Sequence, residues 1–543
     1  MLYTRIVFVA LSLFFATLSA KSGNNTENPY LVKKNAATQL MVNGKPFLML
    51  GGELGNSSAS SLDDINRIFP KLEKMGLNTV LVPACWELIE KEEGKYDYSI
   101  IDGAIDLARK NNLKIIFLWF GSWKNSMSCY APLWIKENSK KYPRAVTKSG
   151  KPLEMMSAFS ESNLNVDKRV FSHFLNHLAE YDKKDQTVIM IQVENEIGML
   201  EDAREYGKIA DQRFNSEVPG KFIEYLKKNK KSLQPSLLKK WEANGFKTKG
   251  SWSEIFGEGL DTDELFMAYV YAEYVQQVAK GGKEKYNIPM YLNTALNSRG
   301  RKPGAYPSAG PLAHLLDVWR FAAPSIDILA PDIYDPGFAN WCKQYHNNGN
   351  PLFIPEIRLE EANAARVFYA FGEHDAMGFS PFSIEDVADP ENYPLTKSYS
   401  ILHQLYPILT EKQGLGKTNG VLFDNESRER TIERNNYRFI FKHDNTLGWS
   451  PKAKDGSIWP EVGALIIELS PTEYIVAGTG VVLSFETLDN KKKAGIGYID
   501  KIKIEDGKIV PVRRLNGDQS HQGRHLRIPV GEWDIQYVKL YEY

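Results

Sequence analysis

The stretch of residues 187–198 constrains the fold of this chain more than any other. It reads Thr-Val-Ile-Met-Ile-Gln-Val-Glu-Asn-Glu-Ile-Gly, so an apolar run passes directly into two carboxylates and an amide. Buried parallel strands are near-continuous runs of Val, Ile and Met, and in a barrel of such strands the chemically active side chains lie at the carboxyl ends. The pattern therefore predicts a buried strand that ends at Glu194, Asn195 and Glu196.

A second apolar run, much later in the chain, also delivers a carboxylate. Residues 351–357 read Pro-Leu-Phe-Ile-Pro-Glu-Ile, which places Glu356 after apolar residues. Two carboxylates at two strand ends indicate glycoside hydrolysis, in which one carboxyl group protonates the leaving oxygen and the other attacks the anomeric carbon. The structural alternative is that Glu194 and Glu196 are solvated turn residues and that Glu356 is a charge at a helix cap. The match at both strand ends favours catalysis.

Strand and helix patterns alternate from about residue 45 to residue 409, as in parallel βα units. In one helix Ile65, Ile68 and Leu72 recur at helical spacing before a strand begins at residue 78. The predicted strands cover residues 46–51, 78–83, 113–120, 187–193, 288–293, 326–331, 351–355 and 377–380. This plan predicts an α/β fold, a (β/α)8 TIM barrel, enlarged by accessory helices within residues 201–286.

The pattern changes after a linker at residues 411–417. Short strand runs then follow one another without helices, which predicts a β-sandwich. We therefore expect a catalytic barrel over residues 21–410 and a β-sandwich accessory domain over residues 418–543. The tryptophans of the second domain, such as Trp533, either pack against the barrel or bind polysaccharide. Packing is favoured because it covers apolar surface.

The amino terminus has the layout of a cleavable secretory signal. Arg5 precedes an apolar run over residues 6–18, and Leu18-Ser19-Ala20 follows. A membrane-spanning helix needs about 20 apolar residues, and this run is shorter. We expect residues 1–20 to be removed, which predicts a secreted or periplasmic protein with no stable membrane anchor after cleavage.

Charge and cysteine content narrow the classes of partner. Lys+Arg and Asp+Glu both number 67, so no field of one sign would attract nucleic acid or an anionic membrane. A neutral carbohydrate fits better. The 3 cysteines are too few to form a disulfide framework, and this sparse usage suits a bacterial periplasm. A single disulfide between barrel loops is the alternative that the sequence leaves open. The sequence indicates no oligomeric state.

Residues 192–196, Gln-Val-Glu-Asn-Glu, together with Glu356 resemble the retaining glycoside hydrolases whose acid/base follows barrel strand four and whose nucleophile follows strand seven. Within that clan the barrel is most similar to family 35, the β-galactosidases. The sequence differs from the usual motifs of that family around Glu356 and over residues 83–90, which marks a divergent bacterial branch. The resemblance implies that Glu196 is the general acid/base, Glu356 the nucleophile, and Asn195 the partner of the sugar 2-hydroxyl.

Other strand ends supply candidate sugar contacts. In related enzymes a tyrosine after strand six bonds the nucleophile, which implies Tyr334, although packing at the barrel rim is its alternative. Glu53 follows two glycines and could accept bonds from sugar hydroxyls or take part in an ion pair. After strand three, Trp123 and Asn125 are the better candidates, because ring faces and amides suit a sugar pocket.

The histidines do not indicate a metal site. His173 and His177 are four residues apart on a helix but lack the His-Glu pattern of a zinc protease, so neither a metal nor another cofactor is expected. The sequence predicts a retaining exo-β-galactosidase that cleaves terminal β-galactosides from oligo- or polysaccharides. A β-glucosidase, a β-xylosidase or an endo-glycanase would use the same machinery. A non-catalytic carbohydrate-binding protein is the alternative from another class, and two opposed carboxylates speak against it.

Overall fold

The computed structural model of the chain describes residues 28–297, 300–347 and 349–543. The expected signal peptide, residues 1–20, and the start of the expected barrel domain at residue 21 lie outside the described residues. Among the helices of the described ranges, none combines the length and the apolar character that a membrane crossing requires.

Within these ranges eight parallel strands close into a barrel. They are β1 Met49–Glu53, β2 Thr79–Cys85, β3 Lys114–Phe120, β4 Val188–Gln192, β5 Met290–Ala295, β6 Ile328–Ile333, β7 Ile354–Ile357 and β8 Gly378–Pro381. Each strand pairs with the next in sequence, and β8 closes the barrel against β1. The predicted TIM barrel is confirmed.

The strands are apolar along their length because both of their faces are buried. In β2, Leu81 packs inside the barrel, whereas Val80 and Val82 pack outward among the helices. Inward and outward side chains alternate along every such strand. The inward positions nearest the carboxyl ends therefore face the mouth of the barrel.

Several strands begin and end later than the sequence predicts, and this correction affects the site. β7 spans Ile354–Ile357 and not residues 351–355, and β6 ends at Ile333 and not at residue 331. Asp332 consequently pairs with Glu356 in the parallel ladder. The Asp332 and Glu356 side chains therefore belong to the last residues of their strands. The backbone continues its ladder bonds at these positions while the side chain faces the mouth.

Helices surround the barrel. Leu62–Lys74 buries Ile65, Ile68 and Leu72 on one side, which are the positions that the helical spacing selected. The other helices around the barrel are Ser99–Lys110, Glu161–Asp182, Leu260–Lys283, Leu316–Ala322, Phe338–Tyr345, Asn363–His374 and Pro394–Lys412. The connection from β4 to β5 adds Lys208–Phe214, Gly220–Lys228, Pro235–Ala243 and Trp252–Phe256, so the accessory helices are present where the sequence predicts them.

A small antiparallel sheet that the sequence analysis did not find closes the amino-terminal end of the barrel. Its strands are Tyr30–Lys34, Ala37–Val42 and Lys45–Phe47. Leu40 and Val42 are buried in the same apolar cluster as the inward residues of the barrel strands. The sheet therefore seals the end of the barrel opposite to the carboxyl ends of the strands.

The described residues after 417 form a six-stranded and a four-stranded antiparallel sheet. The six-stranded sheet comprises Thr418–Phe423, Val462–Ser470, Glu473–Thr479, Asp534–Glu542, Ala494–Glu505 and Lys508–Leu515; the other comprises Glu429–Arg434, Tyr437–His443, Val481–Thr487 and Leu526–Ile528. Phe439, Val476 and Leu483 pack in the core between the two sheets. The predicted β-sandwich is confirmed.

The sandwich packs on the outer helices of the barrel. Arg366, on the helix that follows β7, forms an ion pair of 2.6 Å with Glu461, and Trp533 Nε1 donates a hydrogen bond of 2.9 Å to Ser398 Oγ on the last helix. Trp533 thus packs against the barrel, whereas Trp449 is 47 % exposed.

Candidate active site

Carboxyl groups from four parts of the barrel meet at its mouth. Glu53 belongs to β1, Asp332 to β6 and Glu356 to β7, and Glu196 follows β4. All are at most 5 % exposed. One carboxylate oxygen each of Glu196, Asp332 and Glu356 lie within 4.8 Å of one another. The structure therefore brings together the two residues that the sequence selects as the catalytic pair.

Glu356 has one bonded and one free carboxylate oxygen. Tyr334 donates its hydroxyl proton to Oε1 at 2.5 Å, whereas Oε2 has no hydrogen-bond partner among the described residues. Burial, and then the charge of Glu196, raise the pKa of Glu356 to about 7, while Lys124 and the Tyr334 bond oppose the rise. The bond from Tyr334 favours the ionised carboxylate, while Oε2 is buried and has no bond of its own among the described residues.

Glu196 is held in a strained turn. The backbone φ of Glu196 is 43° and that of Glu194 is 59°. Both values lie in the left-handed region, which residues other than glycine rarely adopt. Its backbone N–H donates to Asn293 Oδ1 at 3.0 Å, and the Asn125 side-chain amide donates to its Oε2. Such strain persists only where the surroundings enforce it, and it concentrates at functional sites.

Glu194 turns away from this pair. Its Oε2 accepts a bond of 2.8 Å from the backbone N–H of Trp123, and burial, followed by the neighbouring Asp167, raises its pKa well above the ordinary value. Asp167 in turn accepts bonds from Ser122 Oγ at 2.6 Å and from Tyr274 at 3.1 Å. Glu194 therefore supports the end of β3, and geometry separates it from Glu196.

Asn195 and Glu53 carry buried polar atoms without partners. Both side-chain atoms of Asn195 and both carboxylate oxygens of Glu53 lack hydrogen bonds among the described residues. Burial, and then the charge of Glu356, raise the pKa of Glu53 well above its ordinary value. An unpaired buried polar group costs about 1–3 kcal/mol, so such a cluster is suited to a ligand that brings its own hydroxyl groups.

The two candidates after β3 have different environments. Asn125 is exposed and contacts Glu196. Trp123 is fully buried, with its ring edge-on to Tyr271 and Tyr274 at centroid distances of 5.5 and 4.7 Å. The Trp123 ring has no solvent-exposed face, so the structure gives no support to the sugar-stacking role that the sequence suggests for it.

Sequence reasoning missed Lys124 and Asn293. Lys124 is 4 % exposed, and its ammonium group lies 5.1 Å from the centroid of the Phe120 ring. No hydrogen bond or ion pair of this group occurs with any residue that the structure describes. Asn293 Nδ2 donates to Asp332 Oδ2 at 2.7 Å. Asn293 ends the predicted fifth strand, so its position was a usable signal, whereas Lys124 resembles a solvated lysine in the sequence.

The charges of the site favour a retained proton. Burial, followed by the charges of Glu356 and Glu196, raises the pKa of Asp332 well above its ordinary value. Lys124 is the cation that acts on Glu53 and Glu356. Like charges this close cannot all ionise in a buried site, so at least one carboxyl group keeps its proton near neutral pH. The site can therefore offer an acid and a carboxylate together.

Among the described residues, Glu196, Asp332 and Glu356 form the one group whose geometry could hold a metal ion. Carboxylate oxygens are the ligands that Mg²⁺ and Ca²⁺ prefer. A cation there would bind a carboxylate oxygen of Glu356, so it would compete with any use of that carboxylate as a nucleophile.

Two family models match the chain. Residues 58–256 match the model of glycoside hydrolase family 42, described as "Beta-galactosidase", and residues 395–527 match a "Domain of unknown function (DUF5597)". The matching family is thus 42 and not the expected family 35, although both belong to the same clan. No curated protein sequence matches the chain.

Solved structures also resemble the chain. The β-galactosidase of the psychrophilic Marinomonas ef1 is 14 % identical over 68 % of this chain and 60 % of that chain, with a TM-score of 0.45. The β-galactosidase of the Antarctic haloarchaeon Halorubrum lacusprofundi is 16 % identical over 66 % and 58 %, with a TM-score of 0.45. The β-amylase catalytic domain of Paenibacillus polymyxa is 12 % identical over 65 % and 98 %, with a TM-score of 0.46.

The chain spans about three fifths of the length of the two β-galactosidases. The family 42 match includes β2, β3, β4 and the Glu194–Glu196 turn but ends before Glu356. Residues 58–256 are therefore similar to the glycoside hydrolases of family 42.

Proposed function

We propose that the chain is a retaining β-glycosidase that removes terminal β-galactosyl units from oligo- or polysaccharides. The observation that carries this proposal is the approach of Glu196 and Glu356, one carboxylate oxygen of each lying within 4.8 Å of the other. The two carboxyl groups are about 5–5.5 Å apart in retaining enzymes and about 6.5–9.5 Å apart in inverting ones. An approach of one oxygen pair to within 4.8 Å is nearer to the retaining arrangement than to the inverting one, and it therefore supports a double displacement.

In the first displacement, Glu356 Oε2 attacks the anomeric carbon. Tyr334 holds Oε1, so Oε2 is the oxygen with a free electron pair. Glu196 gives its proton to the glycosidic oxygen as the bond from carbon to that oxygen breaks. The products of this step are a sugar ester of Glu356 and a free alcohol.

In the second displacement, Glu196 acts as a base. It removes a proton from water, the water oxygen attacks the anomeric carbon, and the ester bond to Glu356 breaks. The Asn125 amide, which donates to Glu196 Oε2, holds this carboxyl group in place during the step. Two inversions at one carbon return the original configuration.

The choice of a terminal galactoside has two supports. The family model that matches residues 58–256 is described as "Beta-galactosidase". The carboxyl groups of the site are at most 5 % exposed, which suits a pocket closed at one end better than an open cleft. Asn195 would bind the 2-hydroxyl, and Glu53 would accept bonds from hydroxyl groups at the closed end.

Azide rescue tests the assignment. Glu356→Ala should lose nearly all turnover of an aryl β-galactoside, and azide should restore it with an α-galactosyl azide as product. Glu196→Ala should keep more activity on an activated aryl substrate and should yield the β-galactosyl azide. Glu154→Ala, a change at a surface residue, is the control. The reverse stereochemistry would exchange the two roles.

A panel of aryl β-glycosides tests the sugar. Higher kcat/KM on a glucoside or xyloside than on the galactoside would replace the galactosidase assignment while keeping the mechanism. Binding of sugars by the wild-type chain without turnover of any member of the panel would reject a glycosidase.

A further inference from the structure

A cavity of about 440 Å³ lies outside the carboxylate site. Its lining includes Lys240, Glu264, Arg301, Tyr306, His314 and Trp341. The lining segments come from the loop after β5, the helix after β6, and the helices Pro235–Ala243 and Leu260–Lys283 of the β4–β5 connection. Loops after β5 and β6 leave the barrel at its carboxyl-terminal end, so the cavity is built on the catalytic face.

The loop that lines this cavity is fastened to the segment directly after Glu196. The backbone N–H of Met199 donates to the Ser308 carbonyl at 2.7 Å, and the N–H of Ser308 donates back at 2.9 Å. Gly310 lies against the Ile197 carbonyl, because a β-carbon added at this glycine would come within 2.6 Å of that oxygen. The loop that contributes Tyr306 and Ala313 to the cavity therefore borders the segment that follows Glu196.

The charged groups of the lining are largely paired with one another. Lys240 lies 3.6 Å from Asp261, and His314 Nε2 lies 2.8 Å from Glu264 Oε2. Arg301 donates to the Ala305 carbonyl at 3.4 Å and has no carboxylate partner among the described residues. The lining is thus close to neutral and offers guanidinium donors to a ligand.

Trp341 gives the cavity an aromatic wall. Its Nε1 donates to the Pro336 carbonyl at 3.2 Å, which fixes the orientation of a half-buried ring. An aromatic ring beside guanidinium and amide donors suits a neutral sugar, because the C–H face of the sugar packs on the ring while its hydroxyl groups bind the donors. Gln344, on the same helix, supplies the amide.

We propose that this cavity binds the leaving-group part of the substrate, consisting of one or more further neutral sugar units. The inference rests on the proposed function, in which Glu196 protonates the leaving oxygen and the leaving group therefore lies on the Glu196 side. The volume falls within the range of about 300–1,000 Å³ found for ligand pockets. The substrate is then an oligosaccharide chain, and the β4–β5 connection is a specificity element.

The kinetic test uses the full chain and two substrates. 4-Nitrophenyl β-galactoside carries no sugar beyond its galactose, whereas the members of a mixture of β-1,3-, β-1,4- and β-1,6-linked galactotetraoses carry three further sugar units that could occupy the cavity. Trp341→Ala should raise the KM for the tetraoses about tenfold, the value of one lost aromatic contact, and change the aryl kinetics less than about twofold. Trp449→Ala, on the sandwich, is the matched control and should change neither. An equal loss on both substrates, or no change on either, would overturn the proposal.

A binding measurement decides the cavity separately from the chemistry. Calorimetry with the same tetraoses is carried out on Glu356→Gln and on Glu356→Gln combined with Trp341→Ala. Binding about tenfold weaker in the double variant supports a sugar site at Trp341 even if the wild-type chain turns over neither substrate, in which case the proposed function alone fails. Binding that is absent in both variants, or of equal strength in both, would reject the cavity as a sugar site.

Discussion

The side-chain amide of Asn125 donates a hydrogen bond to Oε2 of Glu196, and both residues have backbones in the left-handed region, with φ of 49° and 43°. The adjacent Ser126, with φ of 63°, donates its N–H to the Glu196 carbonyl at 3.2 Å. Each such residue costs on the order of 1–3 kcal/mol and persists only where neighbouring contacts enforce it. The turn after β3 therefore sets where the carboxyl group of Glu196 lies.

We expect Asn125→Ala to impair proton donation selectively. A loosely held Glu196 would lower kcat on alkyl β-galactosides roughly tenfold or more, because poor leaving groups need the proton, and would change kcat on activated aryl substrates less than about threefold. The measurement is the dependence of rate on leaving-group acidity. Asn176→Ala is the control, since among the described residues the Asn176 side chain bonds only Glu180, on an exposed helix face. Equal losses with both kinds of leaving group would contradict a role in positioning the acid.

Lys124→Met should move the acidic limb of the pH profile. Lys124 lowers the pKa of Glu356, so its removal lets burial and Glu196 raise that pKa further. The nucleophile acts as the carboxylate, and a higher pKa means that a higher pH is needed to ionise it. The acidic limb of kcat/KM therefore shifts to higher pH, and activity at about pH 6 falls several-fold. Lys124→Arg keeps the charge and should keep the limb in place. An unshifted limb in Lys124→Met would show that Lys124 does not act on Glu356.

The sequence identified the barrel because its strands are buried on both faces and leave long apolar runs. It misplaced the strand ends because Asp332 and Glu356 look like loop residues, although their backbones remain in the ladder. Lys124 was missed for a related reason. A lysine is nearly always solvated, and only the closed barrel brings this one among Glu53 and Glu356.

The role of Trp123 could not be read from sequence order either. Its ring packs against Tyr271 and Tyr274, which belong to the helix Leu260–Lys283, far along the chain. The local sequence pattern indicates that an aromatic residue lies near a strand end, but it does not indicate which helix packs over that residue. In contrast, Asn125 and Glu196 follow the last residues of β3 and β4 by only a few positions and Glu356 lies at the end of β7, so topology predicts that all three lie at the mouth.

Activity should not depend on a divalent cation. The proposed steps use the carboxylate of Glu356 directly, and a cation held by Glu196, Asp332 and Glu356 would compete for that carboxylate. We expect prolonged treatment with EDTA to leave kcat/KM unchanged and millimolar Mg²⁺ or Mn²⁺ to act, if at all, as a competitive inhibitor. The control is the same treatment of Asp332→Asn, in which any inhibition by metal should weaken. Loss of activity with EDTA that a divalent ion restores would assign the three carboxylates to a metal.

The contact between sandwich and barrel provides a stability prediction. Gly372 lies on the helix Asn363–His374, and a β-carbon added there would come 2.7 Å from the Asn419 carbonyl and 2.7 Å from the Leu465 β-carbon. Alanine in place of glycine normally stabilises a helix by about 1 kcal/mol. Overpacking against atoms of another domain costs about 1–3 kcal/mol, and backbone atoms cannot move aside as a flexible side chain can. We expect Gly372→Ala to lower the melting temperature by several degrees.

Gly220→Ala is the matched control for this change, because Gly220 begins the helix Gly220–Lys228 and an added β-carbon there meets nothing within 4 Å. Its melting temperature should stay the same or rise slightly. If the sandwich supports the barrel, Gly372→Ala should also shift the temperature at which activity is lost, because the helix that it disturbs directly follows the strand that carries Glu356. An unchanged melting temperature would contradict the expected overpacking at the contact between the domains. A lower melting temperature with catalysis lost at the wild-type temperature would show that the barrel is stable without the sandwich.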